Sequence, residues 1–273
     1  MVNHSIKSVS ASNSSHIVTA ALSLILLSGF TGTTQTAGAK AIAQNTVVKQ
    51  DVPKKSSEYG EMQNGKDFVA TMTKAAQSAN DYTFKCIIST YRDGKVIKEG
   101  GQFYFKKPNM MKMEVTNGAK KGAVAVLGTD GKVRGHLGGM LSIFSGTIGK
   151  DSNMLRSANG FSMMDSDYET LLRDLNKQLA EGSTCIVTLT PVAIASAGGT
   201  KQHVIEVYKN IDSDKDKELT QRIFVDVKSN LPEQWNLYKT EKLFSSTDWK
   251  EVKVNIGLTE DDFSLKPKKN DKG

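Results

Sequence analysis

Apolar and polar residues alternate along residues 96–115 (VIKEGGQFYFKKPNMMKMEV), a pattern that predicts two strands joined by a short turn. Side chains on a strand switch faces at every residue, so each strand presents one apolar face. The large apolar side chains on that face are Phe103, Phe105, Met111 and Met113. Two interpretations stay open. The face is either the ordinary core side of a sheet or, since Met adapts to irregular shapes, a lining for greasy ligands.

Similar strand patterns recur along the chain. They cover residues 83–91, 122–128, 133–136, 185–190, 202–208, 219–227, 233–238 and 249–256. Asp93-Gly94 predicts a tight hairpin, and Lys107-Pro108-Asn109 predicts a turn because proline has no N–H for a ladder. Residues 245–247 are also predicted to form a turn. Without βαβ alternation, the pattern favours an antiparallel sheet over a parallel nucleotide-binding one.

Two segments have helical periodicity instead. The first runs from about residue 61 to 79, and the second opens at a predicted Ser166–Glu169 capping box, with Leu171 and Leu175 on its apolar side. The surrounding block, residues 137–182, interrupts the β-rich chain. Its apolar stripe must bury against the sheet, either as a permanent cover or as a movable lid.

The N-terminus differs from the rest of the chain. Residues 1–39 contain one charged side chain, Lys7, and residues 17–30 form an apolar run shorter than the roughly 20 residues of a membrane span. Small residues at 37–39 and 41–43 fit signal-peptidase sites. We therefore expect an exported, periplasmic protein with a signal peptide over 1–39, an uncleaved anchor being the alternative. Residues 40–60 then form a flexible tether, 61–265 the domain, and 266–273 a loose charged tail.

Charge and cysteine content narrow the partners only slightly. The net charge of +7 suits transient contact with an anionic membrane surface, but no helix gathers the lysines beside aromatic residues, which argues against nucleic acid. Cys86 and Cys185 could form one disulfide in an exported chain, and their spacing does not decide whether they do.

No catalytic set or cofactor motif emerges. After removal of the signal peptide, His136 and His203 are isolated histidines, whereas a zinc site needs three or four ligands. The acidic loop 212–216 begins like a calcium loop, but Lys217 occupies its glycine position. We therefore expect a binding protein with no metal and no cofactor, and not an enzyme.

Residues 93–115 resemble the bacterial lipoprotein-carrier superfamily of LolA/LolB-like proteins. The matching features are Glu99-Gly100-Gly101, the aromatic strand 103–105, the basic turn 106–109 and the apolar strand 110–115, followed by an Asp-Gly-Lys turn at 130–132. The order of signal peptide, first helix, helical interruption and late strands agrees over roughly residues 61–265.

The resemblance implies an α+β fold, mainly antiparallel: an incomplete (half) β-barrel whose apolar cavity is covered by helices. It assigns the cavity lining to Phe103, Phe105, Met111 and Met113, with the opposite face (Tyr104, Met110) as an alternative. The lid or turn would involve Lys107, Pro108, Leu171 and Leu175. Carriers of the best-known type have Arg where this chain has Lys107, and lysine lacks the planar fork of arginine.

The function implied by the resemblance is the binding of lipid or lipoprotein acyl chains, with shuttling across the cell envelope. The alternative is an envelope sensor or interaction module of the same fold that binds a protein partner without transporting lipid.

Overall fold

The computed structural model describes residues 58–138, 145–210 and 217–265. The predicted signal segment, the calcium-like loop and the charged tail lie outside these residues. Within them, the chain forms one sheet, two α-helices and several 3-10 turns.

The sheet contains thirteen strands, and each described pair is antiparallel. The strands are β1 (Met62–Asn64), β2 (Asp81–Arg92), β3 (Lys95–Lys106), β4 (Met110–Asn117), β5 (Val124–Leu127), β6 (Val133–His136), β7 (Ser145–Ile148), β8 (Thr184–Thr188), β9 (Val192–Ile194), β10 (Thr200–Asn210), β11 (Lys217–Asp226), β12 (Pro232–Lys239) and β13 (Lys242–Val254). Their spatial order is β1-β8-β10-β11-β12-β13-β2-β3-β4-β5-β6-β7, with β9 added beside β10. The described sheet is therefore open, ending at β1 and β7.

The predicted hairpins are present. Asp93 and Gly94 have φ values of 51° and 70°, the left-handed conformation that a tight two-residue turn needs. The prediction for residues 245–247 is wrong, because they lie within β13. The actual turn is at Thr240 and Glu241, both with positive φ.

Helix α1 (Lys66–Ser78) begins five residues later than predicted, because Met62–Asn64 pairs with β8 instead. Gly65 makes the transition. A Cβ atom there would lie 3.2 Å from Sγ of Cys185 and 3.2 Å from the Ile186 carbonyl carbon, so a larger residue would require β8 to shift slightly. The side chain of Asn64 accepts the Lys66 N–H.

Helix α2 (Tyr168–Ala180) begins at a different cap from the predicted one. Its N-cap is Asp167, which accepts the Thr170 N–H at 2.9 Å, while the Ser166 hydroxyl donates to Ser162. The rest of the block 137–182 includes β7 and two 3-10 turns, Asn153–Leu155 and Met163–Asp165, so a strand not predicted from sequence lies within it.

Both helices pack on one face of the sheet, here called the helix face. One buried cluster joins Val69 and Met72 of α1, Leu172 and Leu175 of α2, and the sheet residue Phe84. Asn176 of α2 also donates to Thr73 of α1 at 3.0 Å. On the opposite face, the C-terminal 3-10 turn Glu260–Phe263 packs in a separate, smaller cluster.

Candidate apolar binding site

The centre of the helix face is an aromatic stack. Phe84 lies 4.9 Å from Phe103, and Tyr82 lies 4.8 Å from Phe105 and 4.9 Å from Tyr168, measured between ring centroids. The Tyr82 hydroxyl also accepts the Tyr168 N–H at 3.0 Å. These rings pack directly against one another, so this part of the helix face is packed core.

Two adjacent cavities lie beside the aromatic stack. Their volumes are about 100 and 140 Å³, and both linings are mainly apolar. They share six lining residues: Cys86, Ile88, Met113, Ser157, Phe161 and Ser166. An engineered apolar protein cavity of about 150 Å³ holds benzene, so the second cavity is close to that size and the first is smaller. Together they form one apolar recess on the helix face of the sheet.

The first cavity lies between β2–β6 and residues 152–166, here called the strap. Leu155 and Met163 of the strap are buried against the sheet. Gly101 also lines this cavity, and a Cβ atom there would lie only 2.7 Å from the Glu114 carbonyl oxygen. Glycine thus lets β4 approach β3 closely at the cavity wall.

Polar side chains hold the strap in place. Lys120 donates to the carbonyls of Asn153 at 3.0 Å and Met154 at 3.3 Å, and also to that of Arg156. From the other side, Glu99 accepts the Ala158 N–H at 2.6 Å. These contacts lie at exposed or half-buried positions, where hydrogen bonds exchange with water at a small net free energy. The strap is thus attached at its polar edge and buried at its apolar one.

The second cavity lies under α2. Leu171 and Leu175 line it from the helix, and Trp235 and Trp249 line it from the sheet. Its polar end is closed by a hydrogen-bonded chain in which Trp235 donates to Gln221 at 2.8 Å and Gln221 donates to Gln178 at 2.6 Å.

The Cys86 thiol lies at the junction of the two cavities. Burial raises its pKa to about 11, from an ordinary value of 9.0. At neutral pH it is a protonated, weakly polar wall atom, since the thiolate is the reactive form. Cys86 and Cys185 are both free thiols.

The residues assigned to the lining occupy two different environments. Met113 lines both cavities, whereas Phe103, Phe105 and Met111 lie in the packed core next to them. Sequence reasoning missed Ile88 and the strap residue Phe161. The signal for Ile88 was available, because Phe84, Cys86 and Ile88 alternate along β2.

The alternative face is covered. Met110 is buried in the cluster formed with Leu258 and Phe263, and Tyr104 packs against it. Lys112 lies there too, 2% exposed, with its Nζ atom 2.7 Å from Oε1 of Glu114. Neither cavity is lined by these residues, so the candidate site is on the helix face.

The residues assigned to the lid or turn connect the sheet to both helices. Lys107 Nζ lies 2.8 Å from Glu169 Oε1, and it also donates to the backbone carbonyl of Gln77 near the end of α1. Pro108 is exposed and follows a cis peptide bond. The turn after β3 is thus bound to α1 and α2 by one lysine.

The described residues contain neither a metal-binding cluster nor a membrane-spanning helix. Across 58–138, 145–210 and 217–265, no group of three or more His, Cys, Asp or Glu side chains is placed to hold a metal ion. In the same ranges, neither helix has the length and apolar character needed to cross a bilayer.

Known proteins provide a comparison of fold. No family model matches the sequence, and neither does a curated protein. Among solved structures, the chain is similar to a LolA superfamily protein from Nitrosomonas europaea, at 10% identity and a TM-score of 0.38, over 74% of this chain and 98% of that one. It is also similar to a DUF1329 family protein from Desulfovibrio piger, at 14% identity and a TM-score of 0.36, over 72% of this chain and 95% of that one.

A third similar structure is the Pseudomonas aeruginosa MucA/MucB complex, at 12% identity and a TM-score of 0.38, over 72% of this chain and 59% of that one. The superfamily that the sequence resembles is thus represented among the similar structures.

Proposed function

We propose that this protein is an exported binding protein that holds lipid or lipoprotein acyl chains between the helix face of its sheet and the cover formed by the strap and α2. In this proposal the open sheet is an incomplete β-barrel, and residues 137–182 are its cover. The observation that carries it is the pair of adjacent apolar cavities with six shared wall residues. Passage of the bound chain across the cell envelope is part of the same proposal.

The energetics favour an alkyl ligand. Burial of an apolar chain contributes about 0.8 kcal/mol per CH₂ group, so affinity should rise with the number of methylenes buried. The wall is soft, since it includes Met113, Met154 and Met163, and Met side chains repack around ligands of variable shape.

Entry of a longer chain would proceed by release of the strap. Its attachments are the carbonyls held by Lys120, the Ala158 N–H held by Glu99, and a 3.0 Å hydrogen bond from Asn159 to Ser245. Each contributes on the order of 1 kcal/mol net, an amount that ligand burial can offset. Lys107 and Glu169, which hold the start of α2, would remain paired in this step.

Native mass spectrometry of the gently purified protein tests the proposal. We expect an added mass that corresponds to a lipid and disappears after solvent extraction. The cavity-filling variant Ala125→Phe should carry less of it, because Ala125 lines the first cavity. The exposed helix position Ala70→Phe is the matched control and should bind as the parent does. A parent protein that is always ligand-free and takes up no added fatty acid would contradict the proposal.

The same proposal includes the domain limits and the location. A signal peptide over 1–39, a tether over 40–60 and a loose tail over 266–273 are tested by N-terminal sequencing and limited proteolysis of the exported protein. Envelope proteins remain the alternative partners. A pull-down from envelope extract with added competing lipid separates the two functions, since lipid should block cargo binding but leave a sensor-type contact intact.

A further inference from the structure

The hairpin of β2 and β3 extends beyond its neighbours in the sheet. Pairing of β3 with β4 ends at Gly100–Asn117, and pairing of β2 with β13 ends at Thr90–Ser245. Beyond these points β2 and β3 pair only with each other, up to Arg92–Lys95. Residues 91–98 are here called the hairpin tip.

The hairpin tip exposes apolar side chains on both of its faces. Tyr91 and Val96 are cross-strand partners on the face away from the helices and are 38% and 50% exposed. Ile97 faces the helix side and is 45% exposed. A two-stranded ribbon has no core of its own to cover such groups, so three exposed apolar residues at its end mark a contact surface.

Cations surround these residues. Arg92, Lys95 and Lys98 are all exposed, against one acidic residue, Asp93, whose carboxylate lies 3.4 Å from Arg92. An apolar tip with a cationic rim matches the boundary between acyl chains and anionic headgroups, where tyrosine is also favoured. Each lysine or arginine near such a surface strengthens binding by about fivefold.

We propose that the hairpin tip docks the protein on an anionic lipid surface, with Tyr91, Val96 and Ile97 at the headgroup–acyl boundary and Arg92, Lys95 and Lys98 against lipid phosphates. A protein partner or a second copy of this chain would be favoured less, because neither explains apolar residues on both faces of a ribbon with cations between them.

The hairpin tip is also continuous with the candidate site. Ile97 and Glu99 lie on the same face of β3, two residues apart, which is about 7 Å along a strand. Glu99 and its cross-strand partner Ile88 line the first cavity. A docked tip would therefore bring this cavity close to the bilayer surface. The approach of a lipid-binding cavity to the bilayer rests on the proposed function, whereas the docking of the hairpin tip does not.

Vesicle sedimentation tests the docking, with the chain as the cell exports it and an identical N-terminus in every variant. The vesicles are phosphatidylcholine alone or mixed with phosphatidylglycerol. We expect the parent to bind the mixed vesicles more tightly and to be released by salt. The triple variant Tyr91→Ser, Val96→Ser, Ile97→Ser should bind at least about tenfold more weakly, because apolar burial is lost. The triple variant Arg92→Gln, Lys95→Gln, Lys98→Gln should lose on the order of a hundredfold on anionic vesicles.

Two controls complete the experiment. Leu189→Ser removes an apolar side chain that is 49% exposed beside β8 and should bind as the parent does. Ala125→Phe should also keep vesicle binding, so loss of cavity binding and loss of docking can be told apart. The proposal would be overturned if the parent protein did not bind anionic vesicles, or if the tip variants bound them as tightly as the parent does. It would also be overturned if Leu189→Ser weakened vesicle binding as much as the tip variants do. A tip-dependent dimer in analytical ultracentrifugation would overturn it too, because it would assign the surface to a second copy.

Discussion

The Nζ atom of Lys107 lies 2.8 Å from Oε1 of Glu169, which joins the turn after β3 to the first turn of α2. The same ammonium group donates to the Gln77 carbonyl near the C-terminus of α1, where a cation also interacts favourably with the helix dipole. Lys107 thus joins the turn to both helices through one ammonium group, although lysine lacks the planar fork of arginine.

The first prediction concerns this ion pair. Lys107→Met and Glu169→Gln should each lower the free energy of unfolding by about 1 kcal/mol, because the side chains are 32% and 39% exposed and partly screened. A double-mutant cycle by urea unfolding measures their coupling. The pair Lys85–Glu251, with both side chains more than half exposed, is the matched control and should couple more weakly. A coupling near zero for Lys107–Glu169 would show that the contact does not hold α2.

The second prediction separates packed core from cavity wall. Phe103→Ala should cost about 3–5 kcal/mol, since the ring is fully buried and stacked on Phe84. Met113→Ala should cost less, because Met113 is half-buried and already borders empty space, yet it should change the binding of a fluorescent fatty acid. Chemical denaturation and a fluorescence titration measure the two effects. Equal losses of stability would mean that the cavities close in solution.

The third prediction uses the buried lysine on the opposite face. Glu114→Gln should destabilise the fold by about 2–3 kcal/mol, because the buried ammonium group of Lys112 loses its ion pair and keeps only the Asp262 carbonyl and the Tyr104 ring as partners. Lys112→Met should cost much less, since the remaining Glu114 is 28% exposed and can be hydrated. Thermal unfolding of the two variants measures which of them is destabilised more. The reverse order would mean that water reaches Lys112.

The fourth prediction concerns alkaline pH. Burial raises the pKa of Cys86 to about 11 and that of Cys185 to about 11, whereas both thiols in the unfolded chain lose their protons near 9.0. Between pH 9 and pH 11 only the unfolded chain releases the thiol protons. The contribution of the buried thiols to the free energy of unfolding is therefore complete below pH 9 and falls as the pH rises toward 11. The loss should reach up to about 2 kcal/mol per thiol.

Urea unfolding at pH 9 and pH 11 measures this loss. The double variant Cys86→Ala, Cys185→Ala should have a smaller slope between these values. Part of the slope should remain, because burial also raises the pKa of Tyr104 to about 12 and that of Tyr82 well above 10.0. An unchanged slope in the double variant would assign the alkaline loss to the tyrosines alone.

Local signals in the sequence account for most of the sheet. Alternation of Phe103, Phe105, Met111 and Met113 predicted the β3–β4 pair, and Asp93-Gly94 predicted the β2–β3 turn, because both depend on neighbouring residues only. Strand β1 was not predicted, since its three residues are held by pairing with β8, more than a hundred positions away. The cap of α2 was displaced by one residue, because Ser166 bonds backwards to Ser162 and leaves Asp167 to accept the helix N–H.

The candidate site was only partly accessible to such reasoning. Period-two alternation identifies which side chains share a face, but Phe103 and Met113 are alike in that respect. Their difference arises from what lies opposite. Phe84 and Tyr82 fill the space by Phe103, while the strap leaves a gap over Met113. Which side chains lie opposite Phe103 or Met113 depends on contacts between distant parts of the chain. A local sequence pattern does not encode such contacts.

The pairing of β2 with β13 places the first long strand beside the last one. The N-terminal end of a nascent or translocating chain arrives first, so β2 must wait with a bare edge until residue 254 has been delivered. During that interval its exposed backbone groups are a template for wrong partners. The longer this edge stays unpaired before β13 arrives, the lower the yield of native protein should be.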